Sequence, residues 1–181
     1  MKRLQQTFIG MTLGLTLGLA GLAGSALARG PQAPLTLEQQ VRHQLLMLPY
    51  IGVFDNLNYA VDANGVVTLS GEVVRPIDKY NAEQAVKSLA GVARMDDQIE
   101  VLPLSPFDDR IRLATFRALA RATPLDRYFW GVHPSIRIIV KNGNVTLDGT
   151  VLSEGDRTHA FLAANSVPGV FSVTNNLQTE K

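Results

Sequence analysis

Followed by the period of its apolar positions, the chain passes from helical spacing to alternation and back in a fixed order, and does so twice. LEQQVRHQLLML (Leu37 to Leu48) is amphipathic at helical spacing. LNYAVD (Leu57 to Asp62) then alternates, placing Leu57, Tyr59 and Val61 on one face. After Asn64-Gly65 a second alternation sets Val67, Leu69 and Val73 against Thr68, Ser70 and Glu72. Helical spacing returns at Ala82, Ala85, Val86 and Leu89, stops at Gly91, and gives way to a last strand in MDDQIEV.

The second pass runs through DDRIRLATFRALAR (Asp108 to Arg121), SIRIIVK (Ser135 to Lys141), Asn142-Gly143, and a strand with Val145, Leu147 and Val151 on one face. Ala160, Ala163, Ala164 and Val167 repeat the helix, Gly169 ends it, and FSVTNNLQT closes the copy. NGVVTLSGEV from Asn64 and NGNVTLDGTV from Asn142 are the same phrase, 78 residues apart. The match extends without a gap from Asn64–Val101 onto Asn142–Thr179, with 13 of 38 pairs identical, so a structural unit has been duplicated. The fold class expected is α+β: two tandem small α-β-β-α-β domains, each a three-stranded sheet with two helices packed on one face. The domains span residues 35–103 and 108–179, with a short proline-containing linker at 104–107.

Six glycines recur in register. Gly65 and Gly143 belong to Asn-Gly hairpins, where a type I′ turn needs positive φ at both central residues. Gly71 and Gly149 interrupt the inward row of a strand, which marks a bulge or a close approach, here expected where a helix crosses the sheet. Gly91 and Gly169 stop helices. Pro76 suits a first helical turn, and Ser153 with Asp156 resembles a capping box.

The first 28 residues differ in kind. Lys2 and Arg3 precede an apolar run from Phe8 to Gly24, and Ala26-Leu27-Ala28 has the small-x-small form of a secretory cleavage site. Residues 1–28 are therefore expected to be a signal peptide cleaved after Ala28; the alternative is a single membrane anchor. The chain has no cysteine, which excludes disulfides, thiolate metal sites, a cysteine nucleophile and an acylated N-terminal cysteine. Charge is unevenly divided: residues 35–103 hold nine acids and five bases, residues 104–181 seven acids and nine bases. Attraction to an anionic surface belongs to the second half, and its excess of two is far from what a nucleic-acid binder carries.

The stretches NGVVTLSGEV, AEQAVKSLAGV and DDQIEV, with NGNVTLDGTV, HAFLAANSVPGV and VTNNLQ in the second copy, resemble the BON domain of bacterial osmotically induced and nodulation proteins. The resemblance implies a non-enzymatic, cofactor-free envelope role behind an export signal. Its expected forms are phospholipid association, envelope maintenance under osmotic or other stress, or action as a periplasmic chaperone. Lacking a cysteine to acylate, this chain departs from the lipid-anchored members and is expected in the periplasm, soluble or peripherally bound.

Chemistry is sparse. His43, His133 and His159 fall in different elements, and no HExxH, GxSxG or phosphate loop is present, so no metal site or enzymatic activity is expected. Asp96-Asp97 and Asp108-Asp109 read as solvated charge and helix N-terminal charge. The candidate lipid-binding residues are Arg110, Arg117 and Arg121, on one helical stripe, followed by Arg127, Tyr128, Phe129 and Trp130 of RYFWGVHP. Basic residues beside aromatics suit an anionic membrane surface; the other reading of Tyr128 and Trp130, and the more ordinary one, is that they cap the sheet or fill the gap between units. The alternative partners are envelope proteins, bound along open sheet edges. Nothing in the pattern counts subunits.

Overall fold

A computed structural model of the chain describes residues 34–180, which form one compact unit. The expected signal peptide lies outside the described residues. Helix α1 (Leu37–Leu46) leads to β1 (Asn56–Val61), β2 (Val66–Val73), α2 (Pro76–Lys87) and β3 (Arg94–Val101). The second half repeats the order with α3 (Pro106–Arg121), a 3-10 turn (Leu125–Phe129), β4 (Ile136–Lys141), β5 (Asn144–Val151) and α4 (Glu154–Asn165). Its last strand comes in two pieces, β6 (Ser172–Asn175) and β7 (Gln178–Thr179). In both sheets the strand after the Asn-Gly turn is central: β2 lies antiparallel to β1 and parallel to β3, and β5 antiparallel to β4 and parallel to β6 and β7.

Alternation decides what is buried. Val67, Leu69 and Val73 of β2 pack under Val41 and Leu45 of α1 and Ala82 and Val86 of α2. Val145, Leu147 and Val151 of β5 do the same with Ile111, Leu119, Ala160 and Ala164. Each large aliphatic side chain sealed this way contributes about 1.5–3 kcal/mol, and the alanines let the helices lie close to the sheet. The break between β6 and β7 serves the same core. The Leu177 amide donates to the Asn175 side chain at 3.3 Å, and Leu177 turns inward to full burial.

The two hairpin turns are not alike. Asn142 and Gly143 both have positive φ, 52° and 77°, as a type I′ turn requires. In the first copy only Gly65 does, at 76°, and the loop is wider. Asp62 holds it open, its Oδ1 accepting from the amides of Asn64 at 2.9 Å and Val66 at 2.7 Å. That bonding depresses the Asp62 carboxyl below its usual range, chiefly through the Val66 amide.

Gly71 and Gly149 also correct an expectation. What approaches them is no helix but the adjoining strand's backbone. A Cβ there would sit 2.0 Å from the Asn56 carbonyl oxygen and 1.9 Å from that of Ser135.

The halves meet through the loop before β1. The Val53 carbonyl accepts from the Ile138 amide at 2.8 Å, so this loop covers the middle of the outer edge of β4. Arg137 donates to the Gly52 carbonyl at 3.1 Å, and Phe54 packs edge-on against Phe116, which packs edge-on against Phe129. Lys141 pairs with Glu100 across the junction. Glu72 and Thr146, from the polar faces of the two sheets, line one shallow cleft with Leu102 and Ile139.

Candidate functional site

Helix α3 begins at Pro106, inside the stretch expected to be linker, because Ser105 caps it: the Ser105 hydroxyl accepts from the Asp108 amide at 3.1 Å. Ile111, Thr115 and Leu119 form its buried stripe. That phase turns Arg110, Leu113, Arg117 and Arg121 outward as one exposed face. Arg112 is excluded from it, being buried and donating to the Val140 carbonyl at 2.8 Å.

Asp108 lies in the first turn of α3, as expected of helix N-terminal charge, but does more than complement the helix. It is fully buried and accepts from the amides of Asn142 at 3.0 Å and Gly143 at 2.8 Å, pinning the hairpin turn to the start of α3. Asp108 therefore presents no carboxylate to solvent beside the arginine face. Asp109, the other acid of the pair, is engaged by Arg112.

Two residues missing from the sequence-based set complete this face. Phe107 lies 6.1 Å from Phe171 between ring centroids, and the Arg110 guanidinium sits 6.0 Å from the Phe107 ring. Phe171 is 76% exposed. Its ring occupies the space that Gly143 leaves, since a Cβ on Gly143 would meet it at 2.4 Å. Further along, Arg117 and Arg121 flank a shallow groove floored by Ala114 and Ala118 and walled by Ser166, Val167 and Pro168.

The RYFWGVHP segment divides. Tyr128 is buried, its hydroxyl donating to Asp156 Oδ2 at 2.6 Å and accepting from the Leu152 amide at 2.9 Å. Arg127 pairs with the same Asp156 at 2.7 Å. Together they hold the Asp156 carboxyl below its usual range, the Tyr128 hydroxyl first. Phe129 packs on Phe116 at 5.4 Å. Only Trp130 of the three aromatics stays out, at 73% exposure. The structure thus keeps Arg110, Arg117 and Arg121 together and gives Arg127, Tyr128 and Phe129 internal partners. The three histidines are exposed and lie apart, and among the described residues no group of three or more His, Cys, Asp or Glu is placed to hold a metal.

A BON domain family model matches residues 35–103 and again residues 108–181. The chain belongs to the BON-domain family. Two solved structures also align with it, both of CdsD, a structural protein of the type III secretion system of Chlamydia trachomatis. One, of its C-terminal domain, is 13% identical and covers 83% of this chain and all of that one, at a TM-score of 0.33. The other is 13% identical and covers 80% and 93%, at 0.31. Likeness at that level carries no weight for this chain. A comparison with curated proteins gives no match.

The two BON domains do not present equivalent surfaces. Superposing buried Val41 and Leu45 on Ile111 and Thr115 places Gln40 and Met47 where the second domain has Arg110 and Arg117. The repeat likewise pairs Ala93 with Phe171. Among the described residues no helix is long and apolar enough to cross a membrane.

Proposed function

We propose that this is a non-enzymatic protein of the bacterial periplasm that binds anionic phospholipid surfaces peripherally through its second BON domain and so helps maintain the envelope under stress. The observation that carries this reading is the exposed α3 face, where Arg110, Arg117 and Arg121 form one stripe that starts beside the Phe107–Phe171 pair at Arg110. Each arginine near an anionic surface contributes about 1 kcal/mol, and exposed aromatics favour the headgroup region. Three arginines and two rings give reversible binding that weakens as salt screens beyond about 10 Å at 0.1 M.

The test is flotation of the exported protein with zwitterionic vesicles and with vesicles containing phosphatidylglycerol, at low and moderate salt. Expected is salt-sensitive flotation with the anionic vesicles only, lost in Arg117→Glu/Arg121→Glu and reduced in Phe171→Ser. Trp130→Ala is expected to retain it. A protein that stays at the bottom of every gradient refutes the reading. The alternative, capture of envelope proteins along sheet edges, loses the part of β4 where the Val53 carbonyl already takes the Ile138 amide. It rests on β1 and β3, which among the described residues pair only with β2, and on β6 and β7, which pair only with β5.

A further inference from the structure

We infer a second binding site, for a small single-chain anionic amphiphile, in the cleft where α1 and β1 of the first BON domain meet His133 and Arg137 of the second. The cleft has a volume of about 160 Å³, many times what one water needs. Leu46, Ile51, Leu57 and Tyr59 form its apolar wall, and Arg42, His133 and Arg137 its basic one.

The cleft holds two guanidinium groups, Arg42 and Arg137, against one carboxylate, Asp55. Asp55 is the acid lining the cleft, and each of its oxygens already accepts a backbone amide, from Gly52 at 2.8 Å and Val74 at 2.8 Å. Neither Arg42 nor Arg137 belongs to an ion pair among the described residues. Arg137 is half-buried with one carbonyl, that of Gly52, as its hydrogen-bond acceptor. Burial depresses its pKa against the opposing attraction of Asp55, so its charged form lacks part of the solvation it would have in water. A half-buried guanidinium with open donors beside a second one selects a phosphate or carboxylate, which accepts in the bidentate geometry that arginine offers.

The second BON domain shows the closed version of the same place. With Val41 and Leu45 set on Ile111 and Thr115, Phe116 falls at the position of Leu46, and it packs against Phe54 at 6.3 Å and Phe129 at 5.4 Å, filling the gap with rings. The first domain has no such filling, and Leu46 is left 44% exposed at the rim. An apolar wall of four side chains beside two guanidinium groups matches an acidic head with a short run of methylenes. The site is separate from the α3 face and does not depend on the membrane reading.

The test is two-dimensional amide NMR titration of the intact exported protein with octyl phosphate below its micellar concentration, against inorganic phosphate and octanol in parallel. The inference expects saturable shifts at Arg42, Leu46, Tyr59 and His133, and octyl phosphate binding at least about tenfold tighter than either half-ligand. Octanoate in place of octyl phosphate tells whether a carboxylate head serves as well. Arg42→Ala is expected to weaken binding about tenfold, equivalent to one lost charged hydrogen bond. Leu46→Trp, at a half-exposed position, is expected to fill the cleft and abolish it. Arg117→Glu/Arg121→Glu is expected to bind normally. Octyl phosphate no tighter than octanol, shifts mapping to Phe107 and Phe171 instead, or full binding in Leu46→Trp overturns the inference.

Discussion

Replacing Tyr128 by Phe removes one oxygen from the junction of the 3-10 turn, β5 and α4, and three interactions go with it. Asp156 loses a 2.6 Å donor, the Leu152 amide loses its acceptor, and Arg127 loses a secondary contact at 3.3 Å. A hydrogen bond to a buried carboxylate is worth about 1.5–3 kcal/mol and a neutral one about 0.5–1.5 kcal/mol. Phenyl keeps the packing, so the expected loss is about 2–4 kcal/mol, or roughly 5–12 °C in Tm for a unit of this size. Urea denaturation followed by far-ultraviolet circular dichroism measures it; Trp130 is too exposed to report. The pH dependence sharpens the test. Because the folded Asp156 carboxyl is held below its usual range, its stabilisation is complete above that range and is lost as pH falls through the lowered value. The gap between wild type and Tyr128→Phe should therefore be widest near neutrality and narrow in acid. A variant within about 0.5 kcal/mol of wild type at pH 7, or a gap that does not narrow, refutes the account.

Other predictions test the remaining joints. Gly149→Ala, whose Cβ would lie 1.9 Å from the Ser135 carbonyl, is expected to lose at least about 3 kcal/mol or fail to accumulate as folded protein. Gly131→Ala, with positive φ but open space, should lose only about 1–2 kcal/mol in the same urea titration. Asp108→Asn can accept through one oxygen instead of two, leaving the Asn142 or Gly143 amide unpaired at a cost of about 1–3 kcal/mol by chemical denaturation. Glu72 is pushed up by burial, then by Asp148 and Glu100, so its charge works against the fold at neutral pH. Glu72→Gln is expected to raise Tm by about 1–2 °C at pH 7, after allowing for solvent screening. The gain should vanish as pH falls into the ordinary glutamate range, where the wild-type carboxyl is also neutral.

Much of this fold could be read from periodicity because each strand has one dry face and one wet one. Val67, Leu69 and Val73, with their partners Val145, Leu147 and Val151, are the rows the core is built on, and their spacing admits no other register. Turn geometry was harder to read, since Asn64-Gly65 and Asn142-Gly143 are spelled alike. What separates them is the carboxylate that reaches each loop, Asp62 from within the hairpin and Asp108 from α3. The candidate face was half visible. Helical spacing gathers Arg110, Arg117 and Arg121, but contacts distant in sequence decide that Tyr128 turns in to Asp156 while Phe171 turns out over Gly143. The pairing of Ala93 with Phe171 in the aligned copies was the available signal. A large apolar side chain had been added where the other copy folds without one.

The carbonyl of Val53 on the edge of β4 gives the order of the two copies a meaning. The N-terminal copy supplies the guard for the C-terminal copy's edge, and it is made first, so the guard is in place before the edge exists. Separating the halves between Val101 and Ser105 would leave the second one with an adhesive strand and an uncovered Phe116. A fragment lacking its first half should then find the missing contact in its own neighbours and assemble with itself.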